Sequence, residues 1–203
     1  KRFTAILMAT LMVLAFFAPA ANAIEKNDVW NGEIADSFES GDGTFESPYI
    51  IAKPSQLALL AQLVNNGIGD FATLYYAVTN QLVLNGDTIS NQWMPIGTAE
   101  QPFRGYFDGG EYPIIKAFND SCADNLGIFG VVENAAISNV KVLSAYFAGD
   151  EYVGGIVGYA KNSTFHNCVL QGEVNGNLCV GGIAGAAYNS IIHKCITLSS
   201  TDV

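Results

Sequence analysis

Positive charge is what this sequence has least of. Nine Lys and Arg stand against 19 Asp and Glu in 203 residues, a formal net charge of −10. Neutralising phosphates needs clustered basic side chains, so nucleic acid is excluded as a partner, and simple electrostatic attachment to anionic lipid with it. Histidine is scarcer still. The two that occur, His166 and His193, do not form a His-Glu-x-x-His pattern, so these residues cannot carry the zinc-peptidase chemistry that needs that pair and its glutamate base. Serine-nucleophile and phosphate-loop motifs are missing as well. The four cysteines, Cys122, Cys168, Cys179 and Cys195, are too few for a dense disulfide framework.

Long apolar runs are also rare. One stretches from Phe3 to Ala20, preceded by Lys1 and Arg2 and followed by Ala21-Asn22-Ala23. A basic start, an apolar stretch and a small-x-small end describe a secretory signal peptide, with cleavage expected between Ala23 and Ile24. A membrane anchor is the rival reading, and Pro19 and the Ala-Asn-Ala site argue against it. Removing residues 1–23 leaves seven basic side chains against 19 acidic ones, a net charge of −12. The mature chain is therefore read as acidic, secreted or at the cell surface, and without a membrane span. The missing initiator methionine leads us to expect at least one residue before Lys1.

What the sequence does have is glycine, 21 of them, and a repeat. Gly127-Ile128-Phe129-Gly130, Gly155-Ile156-Val157-Gly158 and Gly182-Ile183-Ala184-Gly185 recur at intervals of 28 and 27 residues. A repeat of this length is one supersecondary unit that cannot bury its apolar face alone and stacks on its neighbours. Aligning the copies puts Ile128, Ile156 and Ile183 in one ladder. A second contains Ile137, Phe165 and Ile192, and a third Val140, Cys168 and Cys195. Asn134, Asn162 and Asn189 make a polar ladder, whose stacked amides can bond to one another and to turn backbone out of reach of water. The repeat glycines allow either positive φ at a corner or close approach of the next coil. These ladders predict an all-β fold, a right-handed parallel β-helix of about 27–28 residues per coil. Flat antiparallel arrays of similar period are the alternative.

Upstream, residues 24–53 form a lead-in segment and first strand. Pro54 then suits the first position of a helix, and Leu57, Leu60, Ala61 and Val64 recur at helical spacing up to the stop signal Asn65-Asn66-Gly67. Residues 54–67 are thus expected to cap the open end of the stack. Residues 68–126 read as irregular first coils, and 127–203 as the repeats, the last copy incomplete. The third copy ends short of the next Val-Gly-Gly, so a longer protein is expected, or self-association through an open last coil.

These motifs resemble the bacterial GLUG-motif surface proteins, with isoleucine in the second place of the Gly-Leu-x-Gly repeat. The likeness extends upstream through Gly41-Asp42-Gly43-Thr44, Pro48-Tyr49-Ile50-Ile51-Ala52, Gln56-Leu57-Ala58-Leu59-Leu60-Ala61, Trp93-Met94-Pro95-Ile96-Gly97-Thr98 and Phe103-Arg104-Gly105-Tyr106-Phe107-Asp108-Gly109. It covers roughly residues 28–203. Two departures stand out: Gln81-Leu82-Val83-Leu84 where Asp-Ile-Asp-Leu is common, and a shortened Asp108-Gly109-Gly110 turn. The resemblance implies export, a repetitive β-solenoid and a place on the cell surface, often within a large adhesin with a protein or glycan ligand. Some immunoglobulin A proteases carry such repeats ahead of a zinc peptidase domain. The family supplies no catalytic residues within the repeats, so neither enzyme activity nor a cofactor is expected of this segment.

Three chemical alternatives need weighing. His166-Asn167-Cys168 and His193-Lys194-Cys195 repeat one tripeptide frame. On regular strands residues two apart share a face, so His166, Cys168, His193 and Cys195 would offer zinc a tetrahedral set. Phe165 and Cys168 both look inward, however, which breaks the alternation and separates His from Cys. A Cys168–Cys195 bridge is disfavoured because stacked strand positions lie about 4.8 Å apart, whereas bridged Cβ atoms want about 3.8 Å. Buried free thiols are expected. A β-helix can also be a carbohydrate-active enzyme, for which Asp108, Glu111, Asp150 and Glu151 are candidate carboxylates and Tyr106 and Tyr152 candidate sugar platforms. Their Gly-rich surroundings read as structural turns. Asp42, between two glycines, lacks the full calcium-loop pattern.

Overall fold

A computed structural model describes residues 29–86 and 88–198. The expected signal peptide, 1–23, lies outside them. The chain winds as a parallel β-solenoid of about five turns; among the described residues there is one α-helix, and the strands pair in parallel. The longest face runs through Tyr49–Ile51, Tyr75–Val78, Tyr106–Asp108, Ala136–Ser138, Thr164–His166 and Ile191–His193. Its register matches Tyr49 with Tyr76, Phe107, Ile137, Phe165 and Ile192 in turn. Successive coils therefore advance by 27, 31, 30, 28 and 27 residues.

Two other faces complete each coil. One stacks Phe129–Glu133, Val157–Lys161 and Ala184–Tyr188, with Ile96 bridging to Phe129. The other stacks Leu82–Val83, Pro113–Ile115, Lys141–Ala148, Val169–Asn175 and Ile196–Leu198. A short fourth ladder, Glu151–Gly154 on Leu178–Gly181, closes the coil. Strands buried on their inner side against other strands need an apolar residue at alternate positions. Tyr76, Phe107, Ile137 and Phe165 meet that need on the longest face, each at most 2% exposed. Ile128 and Ile156 are fully buried, and Ile183 packs half-buried against the same core.

The helix, Pro54–Asn65, starts with Pro54 in its first turn, where a missing N–H is harmless. Gln56 Oε1 accepts the backbone N–H groups of Ala52 and Lys53 at 2.8 and 3.0 Å, fixing the entry to the helix. Leu57, Leu60, Ala61 and Val64 join the solenoid core. At the far end Asn65 donates through Nδ2 to the Pro95 carbonyl and accepts the Gly97 N–H at Oδ1, 3.0 and 2.7 Å. Those bonds fasten the helix beside Ile96, the first pairing residue of its face, so an edge that would otherwise lie bare is covered.

Candidate functional site

The repeat glycines take the second of their two possible roles. None of the six has positive φ. They are places where coils touch. A Cβ on Gly158 would lie 2.6 Å from both Cα and C of Asn125 and 2.7 Å from the Tyr152 carbonyl oxygen. All of that is backbone, which cannot step aside as a side chain can. Gly130 is closed off by the Gly97 carbonyl in the same manner, and Gly185 by the Tyr152–Val153 peptide. Gly127 faces the Gly154 carbonyl, Gly155 the Leu170 side chain and Gly182 the Thr197 side chain.

The corner conformation belongs to asparagine instead. Asn134, Asn162 and Asn189 have φ of 53°, 50° and 48°, the left-handed region that asparagine tolerates best after glycine. All three are exposed, so they do not serve groups shut away from water. The Asn189 amide donates to Asn162 Oδ1 at 2.7 Å. A second ladder escaped the sequence reading. Asn167 donates to Asn139 Oδ1 at 2.8 Å, and Asn139 donates to Asp108 Oδ1 at 2.9 Å. Asn139, Asn167 and Lys194 all have positive φ. The 28- and 27-residue spacing was the available signal, disguised by lysine in the third copy. Ser163 and Ser190 form a third row, whose hydroxyls accept the N–H groups of Ala135 and Ser163 from the coil before.

The His–Cys frames divide across the wall. His166 and His193 stand exposed, rings stacked with centroids 5.6 Å apart. Cys168 is fully buried, its Sγ directed at the His166 and Ile137 carbonyls. Burial pushes its thiol up to about 12, so it stays protonated and is a poor metal ligand. Cys195 is half-buried and accepts the Cys168 N–H, which corrects the expectation that both thiols are buried. All four cysteines are free, and Cys122 and Cys179 are exposed. Among the described residues no three His, Cys, Asp or Glu side chains gather closely enough to hold a metal ion.

Two of the four candidate carboxylates, Asp108 and Asp150, are engaged in turns. Asp108 Oδ1 accepts the Gly110 N–H as well as Asn139. Asp150 accepts Asn177 at 2.7 Å, and the Glu151 N–H donates to Asp124. Asp42 holds Thr44 through both backbone and hydroxyl, which depresses its carboxyl below the ordinary range. Glu111 sits exposed at a left-handed corner, and Tyr152 has φ 59° with its ring edge-on to Tyr159. A group not anticipated as a site spans three coils: Glu133 receives Arg104 at 2.9 Å and Lys161 at 2.8 Å. The Lys161 and Arg104 hydrogen bonds, in that order, lower the Glu133 carboxyl, and Glu133 raises the Lys161 ammonium.

The outer side of the longest face carries aromatic rings, Tyr106 exposed and Tyr75 half-buried. Tyr75 and Tyr106 stack face to face, centroids 4.2 Å apart and planes 2° from parallel, and Phe45 meets Tyr75 edge-on. A groove of about 250 Å³ runs beside them. A larger open one, about 510 Å³, lies between the Trp93–Glu100 segment and the 119–126 loop. No helix among the described residues is long and apolar enough to cross a membrane.

No family model matches the chain, and no solved structure gives a significant match. It is 31% identical over 116 residues to a protein of Evansella cellulosilytica whose name describes it as a Gly-rich membrane protein. The match takes in 55% of this chain and spans 13% of the relative's length.

Proposed function

We propose that this chain is an exported bacterial surface module of the GLUG type, a structural or adhesion scaffold that works without catalysis. One observation carries the reading: three carboxylates that could serve chemistry hold coils together instead. Asp108 is tied to Asn139, Asp150 to Asn177, and Glu133 to Arg104 and Lys161, each from one coil to the next. A catalytic acid or base needs freedom to give or take a proton at a substrate atom, and groups locked in ladders are poorly placed for that. The signal-peptide pattern of residues 1–23 and the partial likeness to a protein named for a membrane location both favour the cell envelope.

Deleting the gene and measuring adhesion of the cells to neighbouring or host cells tests this reading. Deletion lowers adhesion, and both the wild-type chain and a Asp150→Asn, Glu151→Gln double variant restore it. Unchanged adhesion on deletion contradicts the proposal. So does cleavage of a polysaccharide by the purified chain that the folded carboxamide variant loses, since that result demands a reacting carboxylate.

A further inference from the structure

The outer side of the longest face has two rows of side chains. Register places Tyr75, Tyr106, Ala136 and Thr164 in one, and Ala77, Asp108, Ser138 and His166 in the other. The inward residues of these strands, Tyr76 and Phe107, already fill the core, so the fold does not require the outward tyrosines. The aromatic stack then stops abruptly. Tyr75 covers one face of the Tyr106 ring, the next position is Ala136, and Tyr106 nevertheless stays 48% exposed. Its other face is therefore open above a floor of small residues. Phe45 extends the aromatic wall from a turn at 42–47, closed by Asp42 and Gly43 N–H bonds to the Ser47 carbonyl, and is 73% exposed.

An open aromatic face beside hydrogen-bonding groups suits a ligand that is apolar on one side and polar at its edges. A sugar ring has that character: its C–H faces lie on the aromatic plane while its hydroxyls reach outward. Asp108 and Ser138 line the groove for those hydroxyls. Both hydrogen bonds that Asp108 accepts go to Oδ1, which leaves Oδ2 for a ligand. No Lys or Arg lines the groove, and its one charged side chain is Asp108. With a chain charge of −10, an anionic ligand is repelled.

The geometry points to a binding site for a neutral glycan, laid across the open face of Tyr106 with its hydroxyls toward Asp108 and Ser138. This deepens the surface-module reading and rests on it. The full chain is titrated calorimetrically with neutral hexasaccharides (β-1,4-linked glucose, xylose and mannose) and with a proline-rich decapeptide. At least one saccharide binds. Tyr106→Ala weakens it about tenfold or more, equivalent to about 1.4 kcal/mol. Ala136→Tyr continues the stack over the open face, so it blocks binding as strongly while the melting temperature holds. Tyr188→Ala, on a different face, leaves binding as it was. No saccharide binding overturns the proposal, as does binding by Tyr106→Ala and Ala136→Tyr as tight as by the wild-type chain, or binding of the peptide alone. Surface labelling of intact cells separates the two failures. A chain found outside cells that binds no saccharide sinks the glycan site only, whereas a chain retained inside sinks the surface reading beneath it.

Discussion

At the scale of the residue, Gly158 shows how tightly the coils approach. Its neighbours are the backbone atoms of Asn125 and Tyr152 within 2.7 Å of where a Cβ would sit, so any larger residue must push one coil off another. Forced overpacking of this kind usually costs about 1–3 kcal/mol, and more where the obstacle is rigid. Gly158→Val is expected to destabilise the chain by about 3 kcal/mol or more and to broaden its thermal transition. An unchanged melt by circular dichroism contradicts this role for the glycine. That glycine mattered here was legible from its spacing, but which of its two uses applied was not. Spacing identifies a position that recurs and carries no information on φ. The left-handed corners fell to Asn134, Asn162 and Asn189 because a short amide side chain tolerates that conformation and still bonds along the stack.

At the scale of the element, coils are joined by side chains that belong to different strands. Glu133 links Arg104 in the coil before it to Lys161 in the coil after. Its carboxyl is held below the ordinary 4.5, so the contribution is complete above that value and is lost as pH falls from it through the lowered folded value. Lys161 is raised above 10.5, so its share is complete below that value and fades as pH rises through the higher folded one. Glu133→Gln is expected to lower the melting temperature at pH 7 by no more than about a few degrees, because all three groups stay partly solvated. The difference from wild type shrinks below about pH 4. An equal difference at pH 3 and pH 7, followed by calorimetry, contradicts the linkage. Strand positions from Tyr49 onward and the helix at Pro54–Asn65 could be read from periodicity and its stop signals. The docking of that helix could not, because the partners of Asn65 lie 30 and 32 residues away and no local pattern marks them. Asn85 was hidden too: its side chain takes four hydrogen bonds, from Ser90 and Asn91 and to the Asn91 and Lys116 carbonyls.

At the scale of the molecule, the solenoid is a one-dimensional stack in which each coil rests on its neighbours. The last three coils repeat closely enough to be counted from sequence. The earlier ones, advancing by 31 and 30 residues, carry no glycine motif and were legible only as irregular strands. The interior is continuous from Ile51 to Leu170, while Ile192 in the final described coil is 43% exposed against 0% for Phe165 beneath it. The proposed surface role rests on where such a stack is found. The most direct test treats intact source cells with a membrane-impermeant amine label and identifies the modified peptides by mass spectrometry. Lys53 and Lys141, both exposed, are predicted to carry label, and the chain to begin at Ile24. Unlabelled lysines in intact cells, with residues 1–23 still attached, would contradict the account.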